Sequence, residues 1–142
     1  MFSPSRDQAR RFFFETWRKY RAQLPLEGLE KTALETVLLH PEYHPLLDDA
    51  GANLEREFAP EAGALNPFLH LSLHLAVAEQ LSIDQPRGIR DLHARLLART
   101  GSAHDALHVL LECLGETIWN AQRNRAAPDE AAYLECIKRG LG

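Results

Sequence analysis

The chain has 142 residues and a formal net charge of −4, with 45% hydrophobic and 25% charged residues. This composition is typical of a folded globular protein and excludes a chain that is disordered throughout. The length suits one domain with its own core, so we predict a single helical domain over residues 1–142. No apolar run approaches the roughly 20 residues that a membrane span requires.

The N-terminus lacks the basic head and apolar stretch of a secretory signal, and the chain contains two cysteines, Cys113 and Cys136. Two cysteines are too few for a disulfide framework. We therefore expect a cytoplasmic protein with reduced thiols, because disulfides are rare in that compartment. We also predict that Cys113 lies in the core.

The charge is distributed unevenly. Residues 1–23 hold six basic and two acidic side chains, a net of +4, which leaves −8 for the rest of the chain. Two interpretations stay open. The basic first helix packs against the acidic body of its own chain, or it contacts an acidic partner, either a nucleic acid such as RNA or a protein. The sequence indicates no oligomeric state.

The first predicted helix covers 5–23, and Ser5 with Gln8 resembles a capping box. Three-four spacing predicts its buried stripe, which comprises Phe13, Trp17, Tyr20 and Leu24. Pro25 ends this helix and begins a second one over 26–39. The prolines at 41 and 45 then interrupt regular helix, so His40 and His44 are predicted at a helix end or in a turn.

Residues 46–65 are irregular in pattern, with a short helix predicted around 52–58. Residues that start and stop helices delimit four more helices. These run from Asn66 to about Leu81, from Asp84 to the cap Gly101, from Ser102 to about Gln122, and from Pro128 onward. No stretch predicts a strand. The fold class is therefore all-α, an up-and-down bundle of five to six helices.

Six of the seven histidines form three His-x-x-x-His pairs, at 40/44, 70/74 and 104/108. Random placement would give ~0.3 such pairs, and positions four apart share a helix face, where two imidazoles can bind one metal ion. The first pair follows the second helix, and the other two lie in the first turns of the third and fifth helices. An up-and-down order therefore brings all three pairs to one end of the bundle.

We predict a transition-metal site there, with zinc or iron as the first candidates, because nitrogen ligands suit these ions. The predicted ligands are His70, His74, His104 and His108. His40, His44 and Glu112 are predicted as additional ligands or as groups that orient an imidazole.

Other interpretations stay open. In an interaction or regulatory protein that binds through its basic first helix, the histidines are structural or pH-sensing. Alternatively, the clustered helix N-termini carry partial positive charge and bind a small anion instead of a metal. The sequence names no reaction, because it lacks a His-Glu-x-x-His motif, a Gly-rich phosphate loop and a Gly-x-Ser-x-Gly elbow.

Three stretches, 1–6, 40–44 and 66–74, carry a family resemblance, supported by 79–81 and 111–116. They resemble a small proteobacterial family known only as domain of unknown function 1841. The resemblance extends over nearly the whole chain and implies a stand-alone bacterial cytoplasmic protein. It supplies no activity, cofactor or catalytic residue.

Overall fold

A computed structural model describes residues 6–53 and 67–142, and every regular element within these two ranges is helical. The elements, in chain order, are α1 (Arg6–Arg21), α2 (Leu29–Leu38), a 3-10 turn (Pro41–Tyr43), α3 (His44–Asp48), α4 (Ala50–Asn53), α5 (Pro67–Ile83), α6 (Ile89–Thr100), α7 (Ala103–Asn124) and α8 (Glu130–Arg139). The all-α prediction is confirmed. The expected five to six helices are too few, because the segment after α2 folds into short helical pieces.

The chain divides into two compact units, Phe2–Leu75 and Ala76–Gly142, which we call the N-terminal and C-terminal units. The boundary between them falls within α5. The single domain over 1–142 and the up-and-down order both stay predictions. Over the described ranges, no helix is both long enough and apolar enough to cross a lipid bilayer.

The core of the N-terminal unit forms around the aromatic face of α1, where Phe13, Phe14 and Trp17 are all buried. The predicted stripe is right for its first half and wrong for its second. Tyr20 and Leu24 are 41% and 45% exposed. The helix ends at Arg21, and the left-handed backbone of Gln23 turns the chain so that Leu24 leaves the helical stripe. Tyr20 lies in the last turn of the helix, where its ring contacts Trp17 at 5.3 Å between centroids.

Among the side chains of α1 whose burial is described, from Gln8 onward, Arg10 is the one charged side chain that is buried, with only 1% of its surface exposed. Its guanidinium carbon lies 4.8 Å from the centroid of the Phe68 ring, and its Nη1 donates to the Asn53 carbonyl at 3.4 Å. An arginine ring contact of this kind combines packing of the aliphatic stem with cation–π attraction. The basic charge of α1 is therefore not all on its surface.

The start of α2 differs from the prediction, since the helix begins at Leu29 and Gly28 precedes it with φ at 55°. The Glu30 carboxylate accepts hydrogen bonds from the Glu27 backbone N–H at 3.1 Å and from Lys19 Nζ at 3.0 Å. These contacts connect the first turn of α2 to the turn before it and to Lys19 of α1. They fix the helix start three residues beyond the predicted one.

Side chains cap the starts of α7 and α8. Ser102 Oγ accepts from the Asp105 N–H at 3.2 Å, as the predicted capping box requires, and Asp129 Oδ1 accepts from the Ala132 N–H at 3.0 Å. Gly101 ends α6 with φ at 67°, also as predicted. The start of α6 is later than expected, because Asp84 Oδ1 instead caps the turn that leads into it.

Other cap predictions lie outside the described residues or at their edge. The Ser5 cap of α1 and the Asn66 cap of α5 both fall on residues outside the described ranges. The short helix predicted at 52–58 is described only to Asn53, within α4. Pro67 occupies the first position of α5, as predicted.

A disulfide joins Cys113 of α7 to Cys136 of α8. The expectation of reduced thiols is therefore wrong, whereas the prediction that Cys113 is a core residue is right, since it is 4% exposed. The spacing of the two cysteines in the sequence does not predict this disulfide, because it forms only when α7 packs against α8. Closing a loop of 23 residues stabilises the fold by about 3 kcal/mol on the chain-entropy account.

The core of the C-terminal unit also buries polar side chains. Thr117 donates its hydroxyl to the Cys113 carbonyl at 2.7 Å. Tyr133 of α8 donates its hydroxyl to Gln80 Oε1 at 2.7 Å, and both side chains are buried. Burial raises the pKa of Tyr133, so its hydroxyl stays protonated and able to donate.

Replacing Arg10 with alanine is expected to lower the free energy of unfolding by about 2–4 kcal/mol, because packing on Phe68 and a buried donor are both lost. The neighbouring Arg11→Ala is the matched control. Arg11 is exposed, so its loss should cost about 0.5 kcal/mol or less. Urea unfolding of both variants measures the difference, and equal losses would contradict the buried placement of Arg10.

His93 provides a pH-dependent test of the C-terminal unit. Its Nε2 is buried and has no hydrogen-bond partner among the described residues, and burial lowers the pKa of the ring. The neutral ring is the folded form, so its stabilising contribution is present above about pH 6.5 and is lost as the pH falls through the lowered pKa. Between pH 7.5 and pH 5, the melting temperature should therefore fall further in the native chain than in His93→Gln. Parallel pH profiles would contradict this account of His93.

Candidate metal centre

The segment between α2 and α3 presents His40 and His44 from a tight turn, as the two prolines predict. His40 follows α2 and begins the 3-10 turn, whereas His44 is the first residue of α3. His70 and His74 lie one turn apart near the start of α5, within the half that belongs to the N-terminal unit. Two separate parts of this unit therefore supply imidazoles.

Three of these imidazoles meet. His70 Nε2 lies 3.1 Å from His40 Nε2 and 3.2 Å from His74 Nε2. The nitrogens that His40, His70 and His74 offer as ligands all lie within 4.8 Å of one another. The ring planes meet at 65° to 78°, so the rings converge by their edges instead of stacking. His40 and His74 are 5% and 7% exposed, which removes most of the site from water.

The backbone fixes the proton on His40. Its Nδ1 lies 2.8 Å from the Thr36 carbonyl oxygen, which only accepts hydrogen bonds. Nδ1 must therefore carry the proton in the neutral ring, and Nε2 is left with its lone pair directed at His70. Metal-binding histidines are oriented in this way, with one ring nitrogen donating to a carbonyl and the other free to bind the ion.

The protonation state of His70 Nε2 decides how this nitrogen contacts His40. With a proton it donates to His40 Nε2, whereas without one its lone pair faces that of His40. Imidazole lone pairs that face one another can instead bind one cation between them.

The spacing of the nitrogens agrees with that of ligands around one small ion. At a zinc–nitrogen distance of about 2.0–2.1 Å, two ligands of a tetrahedral ion are roughly 3.3–3.4 Å apart. The observed distances of 3.1 and 3.2 Å are within a few tenths of an ångström of this value.

The Tyr43 ring holds His40 in place by stacking on it. Tyr43 stacks on His40 with ring centroids 5.5 Å apart and planes only 3° from parallel. Burial, with a smaller contribution from the Glu42 carboxylate, raises the pKa of Tyr43, so the phenol stays neutral at physiological pH. These contacts restrict the orientation of the His40 ring from its other side.

His44 does not direct its Nε2 at the other three imidazoles. Its Nε2 lies 2.9 Å from the Val37 carbonyl, so this nitrogen donates and offers no lone pair. The ring packs on Trp17 at 4.4 Å between centroids, and Trp17 Nε1 donates to Asp48 Oδ1 at 2.7 Å. This arrangement favours a role for His44 in holding the turn against α1.

The third predicted pair belongs to the C-terminal unit. The rings of His104 and His108 lie on one face of α7, 4.1 Å apart, as the spacing predicts. The His104 side chain is 71% exposed, with its Nδ1 3.6 Å from Asp105 Oδ1. Glu112, one turn further along, is also exposed.

Sequence reasoning missed two contributors to the N-terminal site, the Thr36 carbonyl and the Tyr43 ring. Thr36 precedes His40 by four residues and lies in the last turn of α2, where its carbonyl accepts from the Leu39 N–H at 3.1 Å and also from the His40 ring. Tyr43 stands within the same turn as the two histidines. Both could have been suspected from these positions, although their contacts require the geometry of the turn.

A family model described as "Domain of unknown function (DUF1841)" matches residues 5–139. No curated protein matches the chain, and no solved structure matches it either. The match extends over both compact units, from the residue before α1 to the end of α8. The chain belongs to the DUF1841 family.

Proposed function

We propose that this protein binds a transition-metal ion, zinc or iron, through His40, His70 and His74. The observation that carries the proposal is the convergence of three Nε2 atoms, with two contacts of 3.1 and 3.2 Å. The hydrogen bond from His40 Nδ1 to the Thr36 carbonyl supports it, because it leaves Nε2 as a ligand atom. Nitrogen-only ligation favours zinc, iron, copper or nickel over calcium or magnesium.

The other ligands predicted from the sequence, His44, His104, His108 and Glu112, stay predictions. A bacterial origin and a cytoplasmic location also stay predictions. The disulfide is compatible with the cytoplasm only as a reversible bond, because persistent disulfides belong to oxidising compartments. No reaction is proposed, since three imidazoles occur in metal sites of several kinds.

Elemental analysis of untagged protein, purified without chelator, should find about one metal equivalent per chain. The double variant His40→Ala/His70→Ala should lose it, because only one imidazole of the three would remain. His93→Ala is the matched control, since His93 lies in the C-terminal unit and should leave the metal content unchanged. Single variants of His44, His104, His108 and Glu112 then test the remaining predicted ligands.

Chelator provides a second measurement on the same samples. Removal of an ion that binds only the folded state lowers the melting temperature of the native chain. The double variant should not respond to chelator. The proposal is wrong if the native chain contains no metal and if neither zinc nor chelator changes its melting temperature.

A second candidate function, binding of an acidic partner, is favoured by a groove in the N-terminal unit. The groove has a volume of about 680 Å³ and a floor formed by Phe14, Trp17 and Leu47. Its rim carries the basic side chains Arg11, Arg18 and Arg21. Acidic side chains of the same chain neutralise part of this positive charge. Arg18 Nε donates to Glu15 at 2.9 Å, and Arg21 Nε lies 3.6 Å from Asp48 Oδ1. A basic rim of this kind attracts polyanions, most strongly at low salt.

Charge reversal tests the groove if Arg10 is left intact, because that residue supports the core. The triple variant Arg11→Glu/Arg18→Glu/Arg21→Glu should weaken binding of labelled single-stranded RNA or of an acidic peptide at least tenfold in fluorescence anisotropy at low salt. Arg95→Glu, an exposed position on α6, is the control. If the native chain binds neither probe, or if the triple variant binds as well as the control, this second function is wrong.

A further inference from the structure

The disulfide between Cys113 and Cys136 is asymmetric in its access to solvent. Cys113 is 4% exposed, whereas Cys136 is half-buried and lines a groove of about 580 Å³ between α7 and α8. Exchange of a disulfide requires a thiolate to reach one of its two sulfurs. An incoming thiol therefore reaches Cys136, and Cys113 is the sulfur that leaves.

The wall of this groove determines which thiols approach. Glu116 places Oε2 3.7 Å from Cys136 Sγ, and Asp129 lies further along the same wall. Glu135 is paired with Lys138 at 3.3 Å, and Arg139 provides one positive charge. Glu116 thus places a negative charge beside the reacting sulfur, and this charge repels anionic thiols and attracts cationic ones.

Packing keeps α8 in place when the bond opens. Tyr133 and Ile137 of α8 are 2% and 0% exposed, and the hydroxyl of Tyr133 is bonded to Gln80. These contacts do not involve either sulfur. Opening the disulfide therefore leaves a folded protein with two thiols, instead of a released helix.

We propose that Cys113–Cys136 is an exchangeable disulfide, opened at Cys136 through the α7–α8 groove by neutral or cationic thiols in preference to anionic ones. The external thiolate bonds to Cys136 Sγ, and the bond to Cys113 breaks. Cys113 leaves as a thiolate and takes a proton from water. A second external thiolate then attacks the external sulfur of the mixed disulfide, which releases Cys136 and forms an external disulfide. Two electrons pass in this way from two external thiols to the protein.

The test uses the two single-cysteine variants with two small disulfides as probes, cationic cystamine and anionic oxidised glutathione. In Cys113→Ser, the remaining Cys136 should form a mixed disulfide with cystamine several-fold faster than with glutathione, as measured by intact mass. In Cys136→Ser, Cys113 should react only after denaturant is added. Glu116→Gln in the Cys113→Ser background should reduce the difference between the rates at which the two probes form the mixed disulfide.

The native chain also shows which cysteine is attacked, and this measurement does not depend on whether the variants fold. Partial reduction with cysteamine, an acid quench and peptide mapping identify the cysteine that carries the trapped mixed disulfide, which should be Cys136. Trapping on Cys113, equal labelling of both cysteines, or two free thiols in protein purified in air would overturn the proposal. Equal rates with the two probes would overturn its charge preference.

Discussion

Burial of the aromatic face of α1 is the constraint on which the rest of the N-terminal unit depends. Phe13, Phe14 and Trp17 bring α2, α3 and the start of α5 into one core. Trp17 also contacts His44 and donates to Asp48, so it fixes α3 from two sides. Because the turn that carries His40 lies between α2 and α3, its position follows from the packing of these helices.

The convergence of imidazoles makes the protonation states of the three rings depend on one another. His40 Nδ1 donates to the Thr36 carbonyl, so His40 Nε2 faces His70 as an acceptor, and His70 Nε2 lies 3.2 Å from His74 Nε2. A change of protonation at one ring therefore changes what its neighbours can donate or accept. The proposed metal ion would be bound by nitrogens that neighbouring contacts already orient, which lowers the entropic cost of binding.

Local signals in the sequence predicted much of this arrangement, because their physics is local. The prolines around His40 and His44 break helix wherever they occur, and the cap at Ser102 requires only neighbouring backbone. The convergence of His40 with the pair on α5 was partly anticipated from the predicted order of the helices. The Cys113–Cys136 pairing and the burial of Arg10 were not, since both depend on which helices pack together. Charge counting does not distinguish Arg10 from the other basic residues of the first helix, whereas Phe68 and Asn53 create a buried position for it.

The two tryptophans of the chain stand in opposite environments, one in each unit. Trp17 is 4% exposed and packs against an imidazole, whereas Trp119 on α7 is 57% exposed, with the Arg123 guanidinium 5.0 Å from its ring. Indole emission shifts to longer wavelength with contact to water, and a dissolved quencher such as iodide reaches only the exposed ring. The intrinsic fluorescence of this protein therefore contains two separable signals. The blue one reports on the unit that holds the three imidazoles, and the red one reports on the unit that holds the disulfide.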